Sequence, residues 1–455
     1  MPQKPNIIFI LMDDMGYGDL GIYNKGQSYT PHLDELVSKS LCLSQHYSAS
    51  PVCAPARAAL LTGRYPHRTG AIDTFEGRGL DRIALREKTL ADFLKEAGYK
   101  TGLVGKWHSG ALDPDYHPNA RGFDEFIGFQ GGWQDYYDWR LDYNSHYQKS
   151  DGSYLTDVFT DEAISFCERH RNEPFFLQLS YNAPHFPLQA PERIVERYLE
   201  KGFTLGVSLI YAMLEVVDTG IGRLLESLKN TAQLDNTLII FSSDNGPDFG
   251  GEGDMALRRF NCHFNGHKGN VYEGGIRVPL TLYWPDGVET AASSHAMTHF
   301  CDWLPTLLSI TGQPIPKNLD GINLLPLLRG QDLDLNPRRF WQWNRYTPTI
   351  HSNAAMRDGP WKLVQPQMPA AHDVPPEDLA FDIALKYRPE LFTRLSTLPE
   401  PERDLGAIPK TQLFNLDNDP SETTDLADSH PQKLAAMQTE LYSWFETVEN
   451  ERLGL

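Results

Sequence analysis

A chain of 455 residues exceeds a single typical hydrophobic core and predicts one large domain with a smaller companion. Its 41 basic and 60 acidic residues give a net charge of −19, a field that repels nucleic acid and anionic polysaccharide alike, so an anionic ligand has to be caught by a local cationic pocket. Five cysteines, Cys42, Cys53, Cys167, Cys262 and Cys301, are too few and too scattered for a disulfide framework or a C-x-x-C zinc site, with a Cys262–Cys301 bridge the one pairing left open. The opening residues run into a strand-like segment without a secretory leader, and no apolar run approaches the length of a membrane helix. This places the chain in the cytoplasm, or in the periplasm or outside the cell if a leader has been removed.

In chain order, the apolar run Asn6–Met12 predicts a buried strand, and the acidic turn Asp13-Asp14-Met15-Gly16 follows it directly. Thr30-Pro31 reads as a helix start, with Thr at the cap and Pro just inside. The segment Cys53-Ala-Pro-Ala-Arg57, continuing to Leu61-Thr-Gly-Arg64, places Arg57 one helical turn beyond Cys53. Thr89–Ala97 predicts a helix and Thr101–Val104 a strand, after which comes Gly105-Lys106-Trp107-His108-Ser109-Gly110. Gln130–Tyr147 carries Trp133, Tyr136, Tyr137, Trp139, Tyr143 and Tyr147, flat rings suited to sugar or aryl groups and equally to ordinary packing.

Thr156–His170 and Val207–Leu228 read as amphipathic helices, and between them the strand Phe175–Tyr181 leads into Asn182-Ala-Pro-His185-Phe-Pro187. The strand Thr237–Ser242 leads into Ser243-Asp244-Asn245-Gly246, and the glycine-rich Gly266–Pro279, which contains Lys268, precedes a strand over Val278–Trp284. A loop-rich passage with Pro314, Pro316, Pro326 and Pro337 marks a boundary near residue 335, dividing the chain into 1–335 and 336–455. Beyond it, Phe340–Tyr346 and Trp361–Val364 predict antiparallel strands, and Pro431–Arg452 a final helix. Strands alternating with helices predict an α/β domain whose mainly parallel sheet is covered on both faces.

The chemistry gathers at strand ends, where ligands collect in an open α/β sheet. Asp13, Asp14, Asp244 and Asn245 form an all-oxygen donor set suited to Ca²⁺ or Mg²⁺ and poorly suited to zinc. Lys106 and His108 bring a cation and an imidazole towards one oxyanion. A third acid, Asp19, reads as a loop or capping residue, and Glu273 with Arg277 as a structural ion pair.

Cys53, Pro55 and Arg57, with Leu61 to Arg64, resemble the signature of the type I sulfatases of the alkaline phosphatase superfamily. The resemblance implies that Cys53 is oxidised after translation to formylglycine by a maturation enzyme. One hydroxyl of the hydrated aldehyde then attacks sulfur and the other assists expulsion of sulfate. It further implies that Asp13, Asp14, Asp244 and Asn245, with an oxygen of modified Cys53, hold one divalent cation, Ca²⁺ ahead of Mg²⁺. Arg57 would steady the aldehyde oxygens and Lys106 would contact sulfate. His108 would assist breakdown of the covalent sulfate, His185 would protonate the leaving oxygen, and Lys268 would bridge sulfate and ester oxygen. The implied fold is alkaline phosphatase-like: a large mixed, mainly parallel sheet sandwiched by helices, with a small C-terminal α+β subdomain. Ala56 and Ser109 depart from the commoner Ser and Leu. With Arg258, Arg259 and Arg345 as further cations, the expected substrate is a sulfated carbohydrate, with no nucleic acid and no membrane as partners. A phosphodiester or phosphonate hydrolase of the same superfamily is the alternative enzyme, and a glycan-binding protein with unconverted Cys53 the alternative outside catalysis.

Overall fold

Strand β1 (Asn6–Met12) deals its side chains to two sides: Ile7, Phe9 and Leu11 enter one buried apolar cluster, Ile8, Ile10 and Met12 another. That two-residue period is what a strand covered on both faces requires. The computed structural model describes residues 4–249, 258–288, 291–331 and 338–454. Nine further strands join β1: β2 (Leu41–Tyr47), β3 (Lys100–Lys106), β4 (Glu125–Phe129), β5 (Arg140–Tyr143), β6 (His146–Lys149), β7 (Phe175–Ser180), β8 (Thr237–Ser243), β9 (Leu280–Tyr283) and β10 (Ala292–His299). The sheet order is β10-β2-β9-β8-β1-β7-β3-β4-β5-β6. The central run β8-β1-β7-β3-β4 is parallel, β9 opposes both its neighbours, and the β5–β6 hairpin closes one edge.

Helices Cys53–Thr62, Leu90–Glu96 and Trp303–Ile310 pack on the face of Ile7 and Phe9, and helices Pro31–Lys39, Leu155–Arg169 and Leu205–Asn230 on the face of Ile8 and Ile10. Helix 205–230 corrects the expectation about apolar runs. By length and composition it could cross a membrane, yet 78% of its apolar window is buried inside the protein, the mark of a core helix. Thr30 occupies the N-cap of helix 31–39 but makes no cap bond. Its Oγ1 accepts from the Gly21 amide (2.8 Å) and donates to Asp34 (3.0 Å), so it ties the preceding loop instead.

A second, antiparallel sheet consists of β11 (Arg338–Gln342), β12 (Ala354–Asp358), β13 (Trp361–Gln365) and β14 (Gln412–Asn415) in that order. The expected strand over Phe340–Tyr346 stops at Gln342, and Tyr346 takes a left-handed conformation (φ 59°) that no strand continues through. Helix Pro431–Arg452 packs over this sheet, with Trp444 stacked on Phe340 at 5.2 Å and 7°. The boundary near residue 335 and Pro337 lie outside the described residues. All five cysteines are free, so the Cys262–Cys301 pairing is not formed.

Candidate active site

Four adjacent parallel strands, β8, β1, β7 and β3, deliver the site from their carboxyl ends. Asp13 and Asp14 follow β1, Asp244 and Asn245 follow β8, His185 follows β7, and Lys106 is the last residue of β3 with His108 just beyond. All are buried. Two of these turns are left-handed at residues other than glycine, Asp14 (φ 63°) and His108 (φ 49°), a strain that concentrates where a side chain has to be aimed. Gly105, at φ 108°, lets β3 lie against β7. A Cβ there would meet the Ser180 carbonyl oxygen at 1.9 Å. Helix 53–62 starts at Cys53 and ends at left-handed Gly63, and every one of its residues is buried.

Charge pairing knits these pieces together. Arg57 Nε and Nη2 both donate to Asp244 Oδ2 (3.0 and 2.8 Å), and Nη1 donates to the Lys106 carbonyl (3.3 Å). Lys106 Nζ donates to Asp13 Oδ2 (2.7 Å), and Lys268 Nζ to Asp14 Oδ2 (2.6 Å). Asn245 Nδ2 donates to Asp14 Oδ1 (2.8 Å). Asp13 Oδ1 and Asn245 Oδ1 remain buried without a hydrogen-bond partner. Two orphaned oxygens beside three carboxylates are what a hard cation would take up. Ligand atoms of Asp13, Cys53 and Asp244 lie within 4.8 Å of one another, as do those of Asp13, Asp14 and His185, so the acidic groups could hold a metal ion.

The electrostatics are uneven. Burial pushes the Asp13 carboxyl up against the pull of Lys106, and burial with the Asp13 charge pushes Asp244 up to about 6. Burial alone would raise Asp14 too, but Lys268, then His185, hold it below the usual carboxylate range. Burial raises the Cys53 thiol. His185 Nδ1 donates to the Phe186 carbonyl (2.7 Å), which leaves Nε2 facing Asp14 Oδ2 at 3.6 Å. Burial and Lys268 lower this ring to about 3, so without substrate it is neutral.

The structure brings Cys53, Arg57, Lys106, His185, Lys268 and the four oxygen donors into one cluster, buried throughout except at half-buried Lys268. His108 stands at its margin: Nε2 contacts the Thr74 carbonyl (3.2 Å) and Glu76 (3.7 Å) rather than any of those groups. Asp19 takes the capping role expected of it, whereas its partner Arg259 and the support from Tyr136 were not legible in the sequence. Asp19 caps the Gly16 amide (2.6 Å) and pairs with buried Arg259, whose Nη2 also donates to the Asp14 carbonyl (2.8 Å). Arg259 is therefore a brace for the acidic turn, not a substrate cation, and Arg345 is engaged by Asp73 (2.9 Å). Only Arg258 of the three is exposed. Tyr136, buried, donates to the Asn182 and His185 carbonyls (2.8 and 3.0 Å) and holds the His185 turn. Trp139, Trp341 and Trp343 are likewise buried packing residues. Trp133 and Tyr147 are left as rings lining a cavity of about 820 Å³ that also touches Glu76, Gln134, Arg140 and Lys386.

Residues 5–313 match the Sulfatase family model, and residues 263–370 match that of the N-sulphoglucosamine sulphohydrolase C-terminal region. This chain belongs to the sulfatase family. The human N-acetylgalactosamine-6-sulfatase is 36% identical over 369 residues, covering 73% of this chain and 67% of that protein. The uncharacterized sulfatase YdeN of Escherichia coli (strain K12) is 31% identical over 496 residues, covering 96% of this chain and 84% of that protein. Among solved structures, Ps i-CgsB in complex with k-i-k-neocarrahexaose superposes with a TM-score of 0.80 at 31% identity, covering 97% of this chain and 93% of that one. The sulfatase fold and the sulfuric ester hydrolase activity expected from Cys53 to Arg64 are those of the family.

Proposed function

We propose that this sulfatase removes sulfate from a sulfated carbohydrate, using Cys53 converted to formylglycine and one Ca²⁺, with Mg²⁺ the less favoured ion. The observation that carries the reading is the convergence of Lys106, Lys268 and His185 on the buried carboxylates around Cys53, with Asp13 Oδ1 and Asn245 Oδ1 lacking partners. The carbohydrate class is supported by the names of the human relative and of the k-i-k-neocarrahexaose bound in the structural neighbour. Trp133 and Tyr147 beside the cavity favour it as well.

In this reading the Cys53 sulfur stands where an aldehyde-hydrate oxygen would lie, and Asp13, Asp14, Asp244, Asn245 and that oxygen hold the cation. The hydrate supplies one hydroxyl to attack sulfur and a second whose deprotonation expels sulfate. Arg57, anchored on Asp244, steadies residue 53. With a cation on those carboxylates, Lys106 and Lys268 would be free to turn their ammonium groups to the sulfate oxygens. His185 keeps its proton on Nδ1 through the Phe186 carbonyl and presents Nε2 to the ester oxygen. An incoming sulfate anion raises its proton affinity from the low value of the substrate-free pocket. His108 takes the hydroxyl proton from residue 53. We also infer that residues 1–335 are the catalytic domain and 336–455 the subdomain, a division supported by the second sheet beginning at Arg338.

The test combines intact mass of the Cys53 peptide with turnover. Conversion to the aldehyde, hydrolysis of sulfate esters far above phosphate and phosphonate esters, and loss of activity in Cys53→Ala with unchanged thermal unfolding are expected. An active enzyme retaining its thiol would overturn the reading.

A further inference from the structure

His108 is the one candidate catalytic side chain whose surroundings are drawn mainly from outside the acidic cluster. Its Nε2 lies 3.2 Å from the Thr74 carbonyl oxygen, and a carbonyl can only accept. The ring proton is therefore on Nε2, and the lone pair is on Nδ1, which is buried without a partner. A base with that tautomer becomes an imidazolium when Nδ1 takes a proton, since Nε2 keeps its own. The new charge needs a counter-charge in a site already holding Lys106 and Arg57.

Glu76 is placed to supply it. Its Oε1 is 3.7 Å from His108 Nε2, and the same oxygen accepts the Gly132 amide (2.5 Å) and faces Lys386 Nζ (3.4 Å). Glu76 is buried, so its carboxylate is held in place by fixed partners rather than by solvent. Lys386 arrives from helix Pro376–Tyr387, 310 residues downstream of Glu76, and is itself pinned by Asp382. Gly132, whose Cβ would crowd His108 Cε1 at 2.9 Å and Glu76 Oε1 at 3.0 Å, has no side chain to separate them.

We propose that Glu76 is a positioning residue for His108: anchored by the Gly132 amide and by Lys386, it fixes the Nε2–H tautomer together with the Thr74 carbonyl and balances the charge formed when Nδ1 accepts a proton. This rests on the assignment of His108 as the base in sulfate release. It makes the C-terminal segment part of the catalytic centre, because Lys386 sets the position of Glu76.

Two measurements on the full chain test it. In ¹⁵N-histidine-labelled Cys53→Ala protein, with the His108 signals identified by their loss in the added His108→Ala variant, Nε2 carries the proton and Nδ1 is bare. A proton on Nδ1 overturns the proposal, and this readout needs neither turnover nor a variant at Glu76. In the active enzyme, Glu76→Gln lowers kcat by roughly 10–100-fold with KM little changed. In a His108→Ala background the same substitution costs nothing further, because the two residues act as one unit. Multiplied losses in that cycle, or an unchanged kcat in Glu76→Gln, would sink the inference while leaving His108 as the base. An unchanged kcat in His108→Ala would remove the assignment on which it rests.

Discussion

Two buried ionic clusters lie next to each other along the chain and behave oppositely. The first holds Asp13, Asp14 and Asp244 against Arg57, Lys106 and Lys268, and leaves oxygens of Asp13 and Asn245 unpartnered. The second begins five residues after Lys268. Glu273 Oε1 pairs with Lys362 (2.9 Å), and its Oε2 accepts from Tyr47 (2.7 Å) and Arg277 (3.4 Å). Glu422 faces the same Lys362 Nζ (2.8 Å) and accepts the Glu273 amide (2.7 Å), and Arg357 closes on Tyr47. This second cluster joins β2, β12 and β13 to the loop that carries Lys268, and its one carboxylate oxygen without a hydrogen bond, Glu422 Oε1, lies 2.8 Å from the Lys362 ammonium. The first cluster instead offers its two open oxygens to the cation proposed above. Burying charge costs stability in both, so the difference lies in whether protein or ligand completes the shell.

The sharpest way to break the comparison is to damage each cluster in turn. If His185 has the role proposed for it, His185→Ala should slow hydrolysis of sugar sulfates by about 10²–10⁴-fold. Activated aryl sulfates, whose leaving groups need no proton, should lose much less. Equal losses on both would mean that His185 does not act on the leaving oxygen. His108→Ala should instead slow both substrates alike, since the step it serves follows departure of the alcohol.

In the second cluster, Lys362→Met strands two buried carboxylates and should cost about 3–5 kcal/mol, read from urea unfolding, with the acidic cluster's chemistry intact in the molecules that remain folded. A change near zero would show that the cluster is not a structural joint. Calcium should discriminate next. At a concentration a hundred times its dissociation constant it should add about 2.7 kcal/mol of stability. Asp13→Asn should abolish this increment and Lys362→Met should keep it. Stoichiometric zinc in the purified protein would contradict the hard-cation reading.

The smallest expected effect is on pH. Burial, with the neighbouring Glu273 charge, pushes Glu422 up to about 7 against the pull of Lys362, whereas Lys362 and then Arg277 overcome burial at Glu273 and hold it at about 2. A raised folded value means that Glu422 contributes stability below its unfolded value near 4.5, and that this is lost as pH rises through about 7. Glu273 contributes above about 4.5 and loses its share as pH falls towards about 2. The urea midpoint should therefore decline from pH 5 to pH 8, and Glu422→Gln should flatten that slope. An unchanged slope would place the titration elsewhere.

Sequence was most informative where one segment carries both a strand and its chemistry. Asn6–Met12 and Pro431–Arg452 emerge with the bounds expected of them, and Thr237–Ser243 within one residue, because apolar periodicity and local turn residues act over a few positions. Strands β2 and β10 escaped notice because Leu41–Tyr47 and Ala292–His299 mix polar with apolar residues, β10 being an edge strand. The donors of the metal-like cluster were readable as acidic turns at strand ends. Their supports were not: Arg259 lies 240 residues from Asp19, and Glu422 lies 149 from Glu273. Aromatic rings misled for a related reason, since Tyr136 and Trp139 are as suited to a core as to a sugar and only the neighbours decide.

Burial of helix 53–62 also dictates an order of events in the life of the chain. Cys53 is only 3% exposed, and Arg64, at the end of the signature, is clasped by Glu451 from the last helix, 387 residues later. Once shut, that clasp covers the end of the segment that the proposed maturation enzyme would have to grip. On the proposed conversion, oxidation of Cys53 would belong to the interval between synthesis of residue 64 and docking of residue 451, and a chain that folded ahead of its modifier would keep its thiol.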